Sequence, residues 1–214
     1  MNPPSSEAGV HPATRRISST VALTLLRVLR AQDIPAEVLE DEDPVVTMPR
    51  RLGLSEVVER QIRNYEEDVR RGVKATDQEF EDLVKLVIRR PDSEEIFLEA
   101  GRRLALPEGG IPYRDGGSRW PDVVVYALAR RRARRLLRRL FGRRLGGFAD
   151  GAFALEASAH LLVRSDPGGD ACALMTGLCH GVLERTLLCR CEVVHTLCQA
   201  RGDEHCRWEV RASG

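Results

Sequence analysis

Aromatic residues are scarce in this chain of 214 residues, at 5% of the sequence, so we expect a core built mainly from Leu, Val and Ala. No stretch approaches the roughly 20 consecutive apolar residues that a membrane-spanning helix requires. The first residues also lack the basic segment followed by an apolar run that marks a secretory signal. Together these absences predict a cytoplasmic protein.

Motifs of common catalytic sites are missing as well. The sequence contains no GxSxG, no HExxH, no phosphate-cradling glycine loop and no dinucleotide fingerprint. Glycine pairs at 109–110 and 116–117 lie in a Gly- and Pro-rich loop, without the preceding strand and following helix that a phosphate loop needs. We therefore expect no enzymatic activity.

Positive charge is concentrated in one segment, although the formal net charge is only +1. Ala129–Arg144 contains nine arginines and no acidic residue. An Arg130–Arg144 helix could contact nucleic acid or an anionic membrane. We favour the alternative that it is a solvated face, paired in part with carboxylates of Glu40–Asp43 and Glu66–Asp68. Without interleaved aromatics or a helix-turn-helix pattern, specific base recognition has little support.

Periodicity divides the chain into three parts. Residues 1–16 are predicted to be a disordered tail, residues 17–92 a helical N-terminal region, and residues 93–214 a separate C-terminal domain. The expected helices run over Ser18–Arg30, from Ser55 to near Gly72, from Thr76 or Asp77 to Ile88, from Asp92 or Ser93 to Leu104, and from Pro121 to Gly146-Gly147. The expected apolar side of the last one consists of Val124, Leu128, Ala133, Leu136, Leu137, Leu140 and Phe141.

The pattern changes after this helix, which predicts an α+β fold in which an antiparallel sheet packs with helices. Phe148–Val163 has an extended-looking pattern typical of a strand or hairpin. Cys172–Leu187 returns to helical spacing. Alternation then predicts a strand from Cys189 to His195, a turn near Gly202, and a final strand from Cys206 to Val210.

All six cysteines lie at or after residue 172, and in a reducing compartment such clusters point to metal or redox chemistry rather than to disulfides. Cys198 and Cys206 should face each other across the Gly202 turn. His195 lies three residues before Cys198, so a β-bulge is needed to bring the two side chains together. Cys172 is expected at a helix start, where free N–H groups favour a thiolate. Three thiolates and one imidazole form a complete tetrahedral set for a structural Zn²⁺.

Other assignments of these side chains remain open, including a set that holds no metal. The pair Cys189/Cys191 could displace part of the assigned set, although packing is the simpler role for both and for Cys179. His180 and His205 lie near the cluster. Glu192 could replace His195 as a ligand, but it lies three residues before His195 and therefore on the opposite face of the predicted strand.

The segment CALMTGLCHGVLERTLLCRCEVVHTLCQARGDEHCRWEV resembles the C-terminal half of the 4-vinyl reductase domain family. The resemblance implies a zinc site built from a Cys at a helix start and from Glu-x2-Cys-x7-Cys around a Gly-Asp turn. Cys172, Cys198 and Cys206 match the thiol positions, and His195 stands where the family has Glu. Since imidazole also binds Zn²⁺, the substitution keeps the site plausible. The resemblance covers roughly residues 95–212 and leaves residues 1–90 unexplained.

This family includes sensory domains of phenol-responsive bacterial transcription activators and is structurally akin to small subunits of the TRAPP tethering complex. The resemblance therefore implies a sensory domain that binds a small, mainly apolar ligand and signals through another protein. Because the first half offers several apolar helix faces, we also expect a homodimer. The alternative implication of the resemblance is an interaction or scaffolding protein without such a ligand. Trp120, Phe148, Phe153 and Trp208 could contact a ligand, but we expect each of them in the core.

Overall fold

A computed structural model describes residues 15–33, 56–106, 122–142, 145–149, 153–187 and 191–211. The helices are α1 (Ser19–Gln32), α2 (Glu56–Arg71), α3 (Asp77–Val87), α4 (Ser93–Ala105), α5 (Asp122–Phe141), α6 (Leu161–Ser165) and α7 (Ala173–Leu187). The strands are β1 (Arg15–Ser18), β2 (Lys74–Thr76), β3 (Gly147–Phe148), β4 (Ala154–Ala157), β5 (Glu192–Leu197) and β6 (Cys206–Arg211). Short 3₁₀ turns occupy Asp170–Cys172 and Gln199–Arg201.

The α+β prediction is confirmed. Strands β3, β4, β6 and β5 form, in that order, an antiparallel sheet that packs with α7. The N-terminal region is helical, as expected, and also contributes the small antiparallel pair β1–β2, which the sequence did not predict. In the described residues no helix is both long and apolar enough to span a bilayer.

Helix starts follow the local sequence signals. The Ser18 side chain accepts a hydrogen bond from the Thr20 N–H at the start of α1. At the start of α3, Thr76 and Glu79 satisfy each other's backbone N–H groups in a capping box. Helix α1 is apolar over most of its surface and packs against α2 and α4, so the N-terminal helices share one continuous core with the C-terminal elements.

The shared core does not test the predicted domain boundary between residues 92 and 93, which stays a prediction. Strand β1 begins at Arg15, inside the predicted tail of residues 1–16, and the rest of that tail lies outside the described residues. The sequence-derived loop of residues 107–119, Trp120, Glu40–Asp43 and Cys189 also lie outside them.

Helices α4 and α7 pack closely because glycines line their contact. A Cβ at Gly101 would collide with the Leu174 carbonyl oxygen, and one at Gly177 would collide with the Leu98 carbonyl oxygen. A Cβ at Gly181 would crowd the Ala105 side chain. This close approach fixes the start of α7, where the predicted Cys172 ligand lies.

Two predicted elements need correction. The extended pattern assigned to Phe148–Val163 covers the β3–β4 hairpin but fails beyond it, because Leu161 and Val163 belong to the short helix α6. Helix α5 ends at Phe141, before Gly146, and Gly142 follows it with a left-handed φ of 65°.

The apolar side expected for α5 is also partly wrong. Val124 and Leu128 are 37% and 53% exposed, whereas Val125 and Ala129 take the buried positions together with Ala133. The buried stripe thus includes the small side chains of Ala129 and Ala133. The remaining surface of α5 carries the arginines.

Candidate metal centre

Asp166 positions Cys172. The Asp166 side chain is buried, and its two carboxylate oxygens accept hydrogen bonds from the N–H groups of Gly168 (2.8 Å) and Ala171 (2.7 Å). These bonds hold the turn that precedes α7, and the Cys172 N–H donates to the Gly169 carbonyl oxygen at 3.1 Å. Cys172 therefore lies at the start of a helix, as the sequence predicted, with its side chain fully buried.

A tight loop between β5 and β6 positions the other two thiols. The Cys198 N–H donates to the Asp203 carboxylate at 2.6 Å, and the Asp203 N–H donates back to the Cys198 carbonyl oxygen at 3.2 Å. Gly202 takes the left-handed conformation that the turn requires, with φ 106°. The Gln199 N–H points at the Cys206 Sγ at 3.3 Å, which favours a thiolate there.

His195 reaches the same space because of a register shift. The pairing of β5 with β6 shifts between His195 and Leu197, which confirms the predicted bulge and places His195 and Cys198 on one side. The imidazole stacks on the indole of its cross-strand partner Trp208, with centroids 4.7 Å apart and planes 6° apart. This stacking fixes the plane of the His195 ring.

The structure thus brings Cys172, His195, Cys198 and Cys206 together. One ligand atom from each residue lies within 4.8 Å of all the others. Tetrahedral Zn²⁺ with Zn–S bonds of ~2.3 Å places its sulfurs roughly 3.8 Å apart, so a small contraction closes the site. His195 Nε2 is buried and has no hydrogen-bond partner, a costly state for a polar atom that a metal ion would relieve. The residues present therefore fit a metal ion.

Electrostatics within the cluster also favour a cation. The neighbouring Cys172 thiol lowers the pKa of the Cys206 thiol, and the nearby His160 and His195 side chains lower it further. The Cys206 thiol, together with burial, raises the pKa of Cys172. Binding a divalent ion would release the Cys172 proton and leave the metal bound by thiolates.

The competing candidates lie elsewhere. Cys179 is fully buried in α7, and burial raises the pKa of its thiol to about 12. The His180 Nδ1 accepts from Arg102 at 3.1 Å, outside the cluster. Glu192 is exposed. Among the described residues, the metal-binding group contains neither Cys191 nor His205.

Sequence reasoning missed His160, which lies beside Cys206 and lowers the pKa of its thiol. Its ring lies 5.7 Å from that of Trp208, and its Nε2 is buried. Strand register explains the position: Ala157 of β4 pairs with Cys206, so the residues that follow β4 come next to the thiols. Only this register, which spacing alone does not reveal, could have identified His160.

Gly169 offers a sharp test of the site. A Cβ there would lie 3.0 Å from the Cys198 Sγ, and the residue has a φ of 90°. We expect Gly169→Ala to displace Cys198 and to weaken Zn²⁺ binding by at least ~tenfold, measured by competition with a chromogenic chelator. Gly72→Ala is the matched control, since Gly72 also has a left-handed φ, of 68°, but a Cβ there would meet nothing within 4 Å. Equal affinity in both variants would show that Cys198 does not bind the metal.

The family comparison agrees with this geometry. Residues 152–212 match the model of the 4-vinyl reductase domain, so the resemblance seen in the sequence is confirmed over that range. No curated protein and no solved structure gives a significant match to the chain. The matched range contains all four residues of the cluster.

Proposed function

Because residues 152–212 form a 4-vinyl reductase domain, we propose that this chain is a non-enzymatic sensory module with a structural Zn²⁺. It binds a small, mainly apolar ligand and signals through a protein partner or a homodimer. The observation that carries the proposal is the cluster of three cysteines and one histidine inside the matched range. Four protein ligands complete a tetrahedron and leave no position for a metal-bound water, which is the arrangement of structural rather than catalytic zinc.

The proposed role of the metal follows from what it would join. Cys172 precedes α7, whereas His195, Cys198 and Cys206 lie on or beside β5 and β6. A bound ion would therefore connect the helix to the edge of the sheet. Such a connection holds the sheet against the helices and keeps any cleft between them in shape.

A cleft between α5 and the β3–β4 hairpin supports ligand binding. Its volume is about 300 Å³, and its apolar lining comprises Leu137, Leu145, Phe148 and Leu155. Arg134 and Arg138 also line it, and the Arg134 guanidinium lies 5.4 Å from the centre of the Phe148 ring. The volume is at the lower end of the range for ligand sites, so it suits a small molecule with an apolar body and one anionic group.

The fluorescent probe 1-anilinonaphthalene-8-sulfonate, which has this chemistry, tests the cleft. We expect saturable binding of one probe per chain, weakened at least ~tenfold by Phe148→Ala because the half-buried ring is lost. Leu86→Ala removes an exposed apolar side chain on α3 and serves as control, with unchanged affinity. The ligand proposal fails if Phe148→Ala and Leu86→Ala bind the probe as the wild type does.

An interaction or scaffolding protein is the alternative, and the exposed end of α5 favours it. Val123, Val124 and Leu128 are 67%, 37% and 53% exposed, and such adjacent apolar side chains mark contact surfaces. In this alternative α5 docks a partner or a second copy. A dimer that Leu128→Glu dissociates in sedimentation velocity, together with no probe binding to the cleft, would favour it over the sensory proposal.

A further inference from the structure

In the part of the first half that the structure describes, acidic side chains pair with arginines other than those at positions 131–139 of α5. Glu66 pairs with Arg27 at 2.9 Å, and Glu67 pairs with Arg70 and Arg71. Within the described ranges, no carboxylate forms an ion pair with an arginine between residues 131 and 139 of α5. The favoured expectation that Glu66–Asp68 pair with this helix is therefore wrong for the described residues, because Glu66 and Glu67 pair with arginines of α1 and α2 instead.

Four of the unneutralised charges surround one concavity, between α5 and α7. It has a volume of about 220 Å³ and is lined by Arg132, Arg135, Arg139 and Arg185. Its apolar surface comes from Ala105, Leu136 and Val182. The three arginines of α5 follow one another at intervals of about one turn, whereas Arg185 faces them from the neighbouring helix.

A hydrogen bond to the backbone holds the Arg185 guanidinium near the positive charge of Arg132. One of its guanidinium N–H groups donates to the Ala105 carbonyl oxygen at 3.2 Å, at the C-terminal end of α4. Partial burial lowers its pKa, and the positive charge of Arg132 lowers it further. Cations brought together over an apolar surface without an internal counter-ion repel one another, and a bound anion would relieve that repulsion.

We propose that this concavity is a binding site for a phosphate monoester, whose phosphate contacts Arg132 and Arg185 and whose carbon part lies on Leu136. A phosphate monoester carries about two negative charges and three acceptor oxygens, which matches several guanidinium groups around one concavity. The group could belong to a small metabolite or to the headgroup of a phosphatidic-acid-type lipid. This site lies on the other side of α5 from the cleft lined by Phe148.

Calorimetric titration at constant ionic strength tests the site, with phenyl phosphate as the probe. We expect one saturable site per chain and a loss of affinity of at least ~tenfold in Arg132→Gln/Arg185→Gln, because two charge-assisted contacts disappear. Arg131→Gln/Arg16→Gln is the matched control: it removes the same charge but no side chain that lines this concavity or the cleft at Phe148, and its affinity should fall less than ~threefold. Arg132→Gln alone, which keeps the Arg185–Ala105 bond, should weaken binding several-fold.

Vesicles distinguish the two sources of the phosphate. If a lipid headgroup enters the site, phosphatidylcholine vesicles that contain phosphatidic acid should bind the wild type and the control, but not Arg132→Gln/Arg185→Gln. If the phosphate comes from a soluble molecule, the protein should bind phenyl phosphate but not the vesicles. Equal losses in the two double variants, for phenyl phosphate, vesicles or single-stranded DNA, would show a diffuse basic surface and overturn the proposal. Absence of saturable phenyl phosphate binding would overturn it as well.

Discussion

Replacing Cys206 by serine is expected to abolish tight Zn²⁺ binding. At a free Zn²⁺ concentration 1,000-fold above Kd, the free energy of unfolding should fall by about 4 kcal/mol, because the variant loses the stabilisation that the ion gives by binding only the folded chain. Cys206 is fully buried in the cluster, beside Cys172 and His195, so the variant keeps only three of the four ligands. Urea unfolding followed by circular dichroism, with and without a chelator, measures the difference. In the variant, the chelator should have no further effect.

Cys179→Ala is the control for the loss of a buried thiol. Cys179 is as buried as Cys206 but lies outside the cluster, so the variant should keep one Zn²⁺ per chain and its full response to the chelator. A Cys206→Ser protein that still unfolds at the wild-type urea concentration, in the presence of Zn²⁺, would contradict a stabilising metal.

Gly177→Ala is expected to destabilise the protein by about 3 kcal/mol, although alanine favours helices by ~1 kcal/mol over glycine. The added Cβ would collide with the Leu98 carbonyl oxygen, which belongs to the backbone of α4 and can move only if the helices separate. Because α7 follows Cys172 directly, the same variant should also weaken Zn²⁺ binding. Chemical denaturation and chelator competition measure the two effects.

Thr176→Ala, one residue earlier in α7, is the matched control and should change the free energy of unfolding by no more than about 0.5 kcal/mol. A Gly177→Ala protein as stable as this control would show that the α4–α7 contact adjusts freely, and that it does not fix the position of Cys172.

Much of the fold was predictable because its signals are local. The Thr76/Glu79 capping box and the apolar periodicity of α1 and α3 each depend on neighbouring residues. Within the cluster, the spacing of three residues between His195 and Cys198 was enough to predict the bulge that the structure shows, because side chains alternate between the two faces of a regular strand. Including Cys172 depended on its expected helix start and on the family resemblance, because it lies more than 20 residues away along the chain.

The remaining features depend on contacts between distant residues. Strands β1 and β2 have four and three residues and lie far apart in the chain, so neither has a recognisable pattern of its own. Alternation at Leu161 and Val163 resembles a strand, but one turn of helix buries Leu161 equally well. Periodicity gave α5 an apolar side, yet which residues are covered depends on how this helix packs against its neighbours.

The central claim is that Cys172, His195, Cys198 and Cys206 together bind one Zn²⁺. Native mass spectrometry of the untagged protein, purified without added metal, tests it most directly when the wild type, His195→Ala and Cys198→Ser are compared. We predict one zinc per chain in the wild type and its loss or marked depletion in both variants. Wild-type chains without metal, or variants that keep a full zinc, would contradict the account.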